Sequence, residues 1–456
     1  MSARGVTAAA LALASCATVA PGAGYDHVAR LVTERTGHKT GWENGPPADA
    51  DVARRVDELL GRDLTEPAAI ELALLNNPAL QATYEELGVA QADLVQAGLL
   101  KNPSLDVGVR FPESAGMLNV ELALVQDFLD LFTLPLRKSL AAGQFEAAKL
   151  RLANEVFHVV GRVRRELYSL EAIQQIVELR RTVLDAAALS AELARRQHEA
   201  GNIGDLELET QRGVYEESKL DLTRDELRLE QEREAVTRLL GLWGARTDWT
   251  LPAKLAELPE AEAPLEHLEK LALTRRLDVA TLRAEAELAA EALDVAKTSR
   301  FVGALDVGVS HSSGPEAGIR VTGPTVRLEL PIFDQRQGLL LRLEAQARQS
   351  EKRLAASAVD ARSEVRAARL TLLAQRQVAQ HYKNVLIPSR ERTVALAQQR
   401  YNGMLLGVFQ LLQAKQAEIE SYWQYIEAVR DYWTARVELE GAVGGSLPEA
   451  KSEVTP

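Results

Sequence analysis

Apolar residues recur along this chain with two periods, near 3.6 and near 2, and the order in which the periods alternate occurs twice. A polar segment with Pro and Gly, 17–63, is expected to be extended. Leu64 and Thr65 then open a helical pattern, with Thr65 as candidate N-cap and Pro67 in the first turn. Ile70, Ala73, Leu74 and Leu80 fall at helical spacing, Pro78 divides the run, and the pattern continues through Leu87 and Leu94 to about Leu100. There the period drops to 2. Leu105, Val107 and Val109 alternate with Asp106, Gly108 and Arg110, and Leu118, Val120, Leu122 and Leu124 with Asn119, Glu121 and Ala123. Strands are therefore expected at about 104–111 and 118–127, joined as a hairpin by a Gly- and Pro-bearing loop.

Helical periodicity resumes after Pro135. It runs from about Ser139 to Ala200, and 62 residues make a rod of roughly 90 Å. Val156, Val163, Leu170, Val177, Leu184 and Ala191 recur every seven residues, the spacing of a seam buried against a neighbouring helix. A turn at Gly201-Asn202-Ile203-Gly204 precedes a returning helix that Gly241 is expected to stop near Leu240.

The second half repeats this plan. Leu271-Ala272-Leu273 answers Leu72-Ala73-Leu74, and Leu305 to Val309 repeats Leu105 to Val109 residue for residue. Strands are expected at about 304–311 and 323–331, with Leu305, Val307, Val309, Val326, Leu328 and Leu330 on one face. A second helical hairpin, 339–440, contains Pro388, which should bend its first helix; the turn is placed at Tyr401-Asn402-Gly403 and the stop at Gly441. A spacing of 200 residues relates Gly241 and Gly244 to Gly441 and Gly444 as well as the two Leu-Asp-Val-Gly-Val copies. The chain reads as a duplication. It is mainly helical with a small β part: a first repeat 64–250, a linker 251–264 with three prolines from Pro252, a second repeat 265–445 and a tail 446–456.

Composition narrows the function classes. A net charge of −12 without a basic stripe argues against nucleic acid. The seven histidines show no metal-binding pair at i, i+4, and there is no phosphate-binding loop, dinucleotide fingerprint or nucleophile elbow, so no enzyme and no cofactor are expected. At the N-terminus, Arg4, a short apolar run Val6 to Ala14, and Leu13-Ala14-Ser15-Cys16 resemble a lipoprotein signal, 1–16, in which Cys16 is lipidated; an ordinary signal peptide with an incidental cysteine is the alternative. No other stretch is long and apolar enough for a spanning helix. Any membrane crossing must then be made by strands. Four strands cannot close a barrel, and a lipid-exposed edge is forbidden, so several chains would have to pool their hairpins. Phe111, Phe128, Phe132, Phe301 and Phe333 at or near the strand ends suit an aromatic girdle. Alternation alone equally allows a soluble sheet packed on helices.

The order of these elements, with Leu64-Thr65, Leu72-Ala73-Leu74, Asn76-Asn77-Pro78, Gly201 with Ile203, Asp205, Leu206 and Leu208, Pro388 with Ala395, and Arg400-Tyr401 with Leu411, Leu412 and Ala414, resembles the outer-membrane efflux proteins, the TolC-like channels. The resemblance implies a homotrimer whose twelve strands form one barrel in outer-membrane lipid, with a helical tunnel in the periplasm. It also implies an exit duct for an inner-membrane pump of a tripartite efflux or type I export system, reached through a periplasmic adaptor protein. By position, adaptor docking and the periplasmic gate would fall to Gly201, Ile203, Gly204, Asp205, Tyr401, Gly403, Gly407, Gln410 and Gln413, and the lipid face to Leu105, Val107, Val109 and Val120. Gln410 and Gln413 stand where some relatives carry an acidic cation-binding ring, which speaks against a charged constriction here. The competing reading is a lipid-anchored periplasmic coiled-coil scaffold or adaptor without a pore.

Overall fold

The computed structural model describes residues 22–42, 46–111, 119–127, 129–252, 254–262, 265–301, 305–313 and 320–447. Cys16, Leu118, Phe128 and the tips of both strand hairpins lie outside the described residues, and so does the tail beyond 447. The elements in order are α1 (Tyr25–Thr36), α2 (Pro46–Leu60), α3 (Glu66–Asn76), α4 (Pro78–Ala97), β1 (Ser104–Arg110), β2 (Asn119–Asp127), α5 (Leu129–Glu199) and α6 (Asp205–Leu239). They continue with α7 (Leu268–Arg275), α8 (Leu277–Ser299), β3 (Leu305–Ser313), β4 (Arg320–Leu328), α9 (Gln337–His381), α10 (Ile387–Asn402) and α11 (Val408–Val443). No described helix is long and apolar enough to cross a membrane.

Three local expectations change. The segment expected to be extended holds α1 and α2, and α1 buries Val28 and Val32, four residues apart on one face. Thr65 occupies the N-cap position of α3 with extended backbone, but its side chain makes no capping bond. Helix α5 begins ten residues before Ser139 and runs through Pro135. Pro78, by contrast, does divide α3 from α4, because Asn77 turns extended ahead of it and its amide oxygen Oδ1 accepts the N–H groups of Ala79 and Leu80.

The chain forms two compact units, and α1, α4, α5, α8 and α9 contribute residues to both. The smaller holds 85–152 and 278–357, including the four strands. They form one antiparallel sheet in the order β1-β2-β3-β4, so β1 and β4 are its edges. The larger unit holds 28–84, 153–277 and 358–456. Its core collects Leu268, Ala272, Val365, Leu372, Tyr432, Leu439 and Val443 in one cluster, and Tyr168, Leu255, Ala379, Ala428 and Val429 in another. Full burial of each large side chain contributes roughly 1.5–3 kcal/mol.

In this unit the heptad seam of α5 is buried from Val156 through Val177, then changes phase: Leu184 and Ala191 are half-exposed while Ala187 and Ala194 are buried. In α9, Val365, Leu372 and Ala379 keep the seven-residue step, but the next buried residue is Ile387, one beyond the heptad. The extra residue sits in a π-helical turn, Tyr382–Leu386, where Ile387 N–H donates to Tyr382 O. Pro388 immediately follows. It lacks an N–H and crowds the preceding turn, and the wider π turn accommodates both faults.

The duplication is present, with a register that drifts along the chain. Helix α6 is stopped by Gly241 at φ +67°, where Leu242 N–H donates to Thr237 O at 3.0 Å. Helix α11 runs through Gly441 and is stopped by Gly444 at φ +84°, where Gly445 N–H donates to Glu440 O at 3.0 Å. The structural mate of Gly241 is therefore Gly444, not Gly441. Both stops rest on the break between the repeat's two leading helices. A Cβ on Gly241 would sit 2.2 Å from the Asn76 carbonyl oxygen, and one on Gly444 2.8 Å from the Arg276 backbone. In the first half the amide groups of Asn76 and Asn77 donate to the carbonyls of Leu239, Leu240 and Gly241 at 2.8–2.9 Å. In the second half the guanidinium of Arg276 donates to Ala442 O at 3.4 Å.

Candidate functional site

Within the sheet, register decides which side chains share a face. Leu105 lies opposite Leu124, Val107 opposite Leu122 and Val109 opposite Val120. Across the next seam Leu124 meets Val309, and Val307 and Leu305 meet Val326 and Leu328. The expected lipid-facing positions that lie within the described strands thus fall on one side, because directly opposed residues of antiparallel strands project the same way. That side is exposed: Leu105, Val326 and Leu328 retain 65%, 67% and 59% of their surface. The other side is charged and internally paired. Arg110 bonds Glu121 at 3.0 Å and Arg327 pairs with Asp306 at 3.6 Å. Phe111, Phe301 and Phe333 are exposed beside the strand ends. A solvent-exposed sheet face of Leu and Val, backed by a face of paired ions, is the reverse of a soluble sheet packed on its own helices, where the apolar side would be inward.

The turns lie in the larger unit. At the first, Gly201 adopts φ +73°, Gly201 N–H donates to His198 O at 2.8 Å and Asn202 N–H to Gln197 O at 2.8 Å, a left-handed helix stop that glycine permits at no steric cost. Ile203 is half-buried, Gly204 is extended at the N-cap of α6, and Asp205 in the first turn of that helix meets the His198 ring nitrogen Nε2 at 2.7 Å. At the second, Leu405 N–H donates to Arg400 O at 2.9 Å in the same motif, but the left-handed residue is Met404, φ +58°. Gly403, expected to make the turn, has φ −83° and does not require glycine. Gly407 matches Gly204 as the extended N-cap.

The two turns therefore correspond 203 residues apart, and they present different chemistry. The first shows Gly201 and Asn202; the second shows Met404 and Leu405, 93% and 80% exposed, beside exposed Tyr401. Placing the second turn at Tyr401-Asn402-Gly403 leaves Met404 and Leu405 out of the candidate site residues; the Gly204–Gly407 match locates them. Gln410 and Gln413 are brought together with Glu207 and Gln211 around a cavity of about 310 Å³. Gln211 Nε2 donates to Glu207 Oε1 at 3.1 Å and accepts at its amide oxygen from Ser190 Oγ at 2.8 Å, so the lining carries a polar chain with one carboxylate, beside Lys415 and apolar residues such as Phe409 and Leu412.

Buried charge is concentrated in two further clusters of the larger unit. Arg164 is flanked by Glu66, at 2.8 Å, and Glu440, while Tyr168 donates to Glu66 at 2.5 Å. Glu262, from the linker, receives Arg376 at 2.9 Å, Arg436 at 3.1 Å and the Tyr432 hydroxyl at 2.7 Å. These are structural ties between helices. Glu171 differs: lost hydration first, then the nearby Glu66 charge, push its carboxyl up to about 7. Among the described residues no group of His, Cys, Asp and Glu could hold a metal ion.

A family model for the outer membrane efflux protein matches residues 69–242, most of the first repeat, from within α3 to the stop of α6. The first repeat of the chain is thus similar to the outer membrane efflux proteins. It is 27% identical over 394 residues to the cobalt-zinc-cadmium resistance protein CzcC of Cupriavidus metallidurans, covering 85% of this chain and 88% of that protein. Its fold is similar to that of the Campylobacter jejuni CmeC outer membrane channel, with a TM-score of 0.70 at 16% identity over 91% of each chain. The outer membrane protein VceC from Vibrio cholerae gives a TM-score of 0.66 at 16% identity, covering 87% of this chain and 97% of that one. The matched family model and the CmeC structure are of outer-membrane efflux proteins and a channel, not of enzymes.

Proposed function

We propose that three copies of this efflux protein pool their sheets into one closed outer-membrane barrel, and that their helical hairpins carry the duct through the periplasm. The observation that carries this reading is the four-stranded sheet whose Leu and Val face is exposed and whose two edges are open. In lipid both become assets: the apolar face meets acyl chains, and edge pairing with further copies satisfies the backbone groups that lipid cannot. The charged face, with Arg110–Glu121 and Arg327–Asp306, then lines the water-filled side.

The duct receives its cargo from an inner-membrane pump through a periplasmic adaptor, which docks on the turns at Gly201–Asp205 and Met404–Val408. Cys16 carries the lipid that anchors the mature N-terminus at the outer membrane. Likeness to a cobalt-zinc-cadmium resistance protein supports divalent transition-metal ions as cargo. Three methionines and one cysteine supply no soft-ligand relay of the kind copper or silver would use, and the net charge of −12 favours cations in the duct.

Purified protein reconstituted in a planar bilayer tests the channel. A trimer that conducts ions is expected; a monomer that stays in the aqueous fraction after its acyl anchor is removed would replace the channel by the scaffold reading. Tolerance to zinc, cobalt and cadmium in a strain lacking the protein tests the cargo, and unaltered tolerance to all three would remove it.

A further inference from the structure

The seam between the two strand hairpins is a template for the seam between two copies. β1 and β3 are equivalent through the repeated Leu-Asp-Val-Gly-Val, 200 residues apart. β2 and β4 are equivalent 204 residues apart, because Ala123 faces Asp106 as Arg327 faces Asp306. The sequence agrees: Leu122, Leu124 and, beyond the strand, Asp130 answer Val326, Leu328 and Asp334. In the internal seam, β2 meets β3 with Leu124 opposite Val309 and Gln126 opposite Val307. Resting on the trimeric channel proposed above, we propose that β4 of one copy pairs antiparallel with β1 of the next in this same register. Leu328 then lies opposite Val109 of the next copy, and Leu330 opposite its Val107.

Two observations support this register, and a third fixes the strand tilt that it demands. Val107, Val109, Leu328 and Leu330 are exposed apolar residues, and the pairing sets them side by side as a continuation of the Leu and Val face. Leu330 stands two residues past the end of β4 and keeps its alternation with Val326 and Leu328, as a strand that extends when the next copy pairs with it. Finally, the row of Val109 meets Ser313, whereas the repeat mate of Val109 is Val309, a stagger of four residues per hairpin. Six equal hairpins accumulate a stagger that tilts twelve strands by about 54°, for a strand spacing of about 4.8 Å and a rise of about 3.3 Å, steeper than the roughly 35–45° of most such barrels. The apolar centre moves by the same four residues, from Val107 and Leu122 to Val307 and Val326, so at that tilt the apolar belt stays level around the barrel. Arg327 comes opposite Arg110 of the next copy, but each is already neutralised within its own chain by Asp306 and Glu121.

Cysteine cross-linking in outer membranes tests the register. Directly opposed antiparallel residues have Cα atoms about 4.5–5.5 Å apart, within disulfide range, while a shift of two residues moves them to about 7–8 Å, out of it. Full-length V109C/L328C, oxidised in the membrane, should give a ladder of dimers and trimers on a non-reducing gel. V107C/L328C should give little, and V109C or L328C alone none, which also rules out Cys16 as the partner. A stronger ladder from V107C/L328C, from either single variant, or from no variant although the unmodified protein is trimeric by native mass spectrometry, overturns the register. An unmodified protein that is monomeric in the membrane overturns the channel reading beneath it.

Discussion

The two halves of this molecule solve the same folding problem with different residues, and the differences mark where geometry is compulsory. Both returning helices end in a left-handed glycine pressed on the backbone of the break before it, at Gly241 and Gly444. Neither a different residue nor a different conformation fits there. The turns are less constrained. The first uses Gly201 at the left-handed position, the second tolerates Met404 in the same role and projects its side chain almost wholly into solvent. Likewise α5 runs unbroken for 71 residues while its counterpart is divided by a π turn and Pro388. Buried backbone contact allows one answer in both copies; exposed turns and helix interiors let the copies diverge.

The sharpest way to break this comparison is at the glycine stops. Gly241→Ala and Gly444→Ala should each cost about 2–4 kcal/mol, from the left-handed backbone and the collision with Asn76 or Arg276. Gly441→Ala should be neutral or stabilise by up to about 1 kcal/mol, since that residue is helical with open space around its Cα. Thermal unfolding checks all three, and a costly Gly441→Ala would restore the even 200-residue repeat.

Comparable in size is the sheet. Leu122→Arg in the first hairpin and Leu328→Arg in the second each place a charge on the apolar face, at about 2–4 kcal/mol near the bilayer midplane. Conductance and trimer yield should fall for both. Loss at one hairpin only would show that the halves do not share one wall.

Near neutral pH, one effect belongs to the first half, at Glu171. Glu171 titrates near 7 when folded against a reference of 4.5, so the folded state binds the extra proton between those values. Stability should therefore fall as pH rises from about 4.5 to 7 and level off above, where the buried carboxylate is charged, by roughly 3 kcal/mol in total. Glu171→Gln should abolish this slope and be the more stable protein at pH 8, as read by denaturant unfolding at a series of pH values.

The smallest expected effect is at the turns. Met404→Gly should stabilise by about 1 kcal/mol by relieving the left-handed strain, yet weaken adaptor binding and export with trimers intact, whereas Gly403→Ala should do neither. Export assays alongside size-exclusion chromatography separate the two.

Much of the fold was legible because long periodic elements leave redundant signals. The strands, the rods, the break at Pro78 and the disturbance at Pro388 each rest on several residues or on proline's missing N–H. What was misread depended on single positions. Gly403 and Gly441 looked like stops because glycine is common at stops, but a glycine within a helix carries the same letter as one at φ +84°. Helices α1 and α2 were missed because a short polar helix owes its stability to tertiary contact: α1 buries Val28 and Val32 and is tied through Arg35 to Arg275 and Ser446, and α2 buries Val56 and Leu59.

By itself, the sequence determined the periods of burial, and with them the duplication, the helical hairpins and the two-faced strands, because periodicity is a local property of residue order. Only the tertiary structure decided which residues of the two halves are true mates, which side chains share the sheet's exposed face, and that Met404, not Gly403, turns the second hairpin. Those depend on hydrogen-bond register and on backbone contacts across distant segments, and a few added or missing residues shift them without disturbing the local pattern.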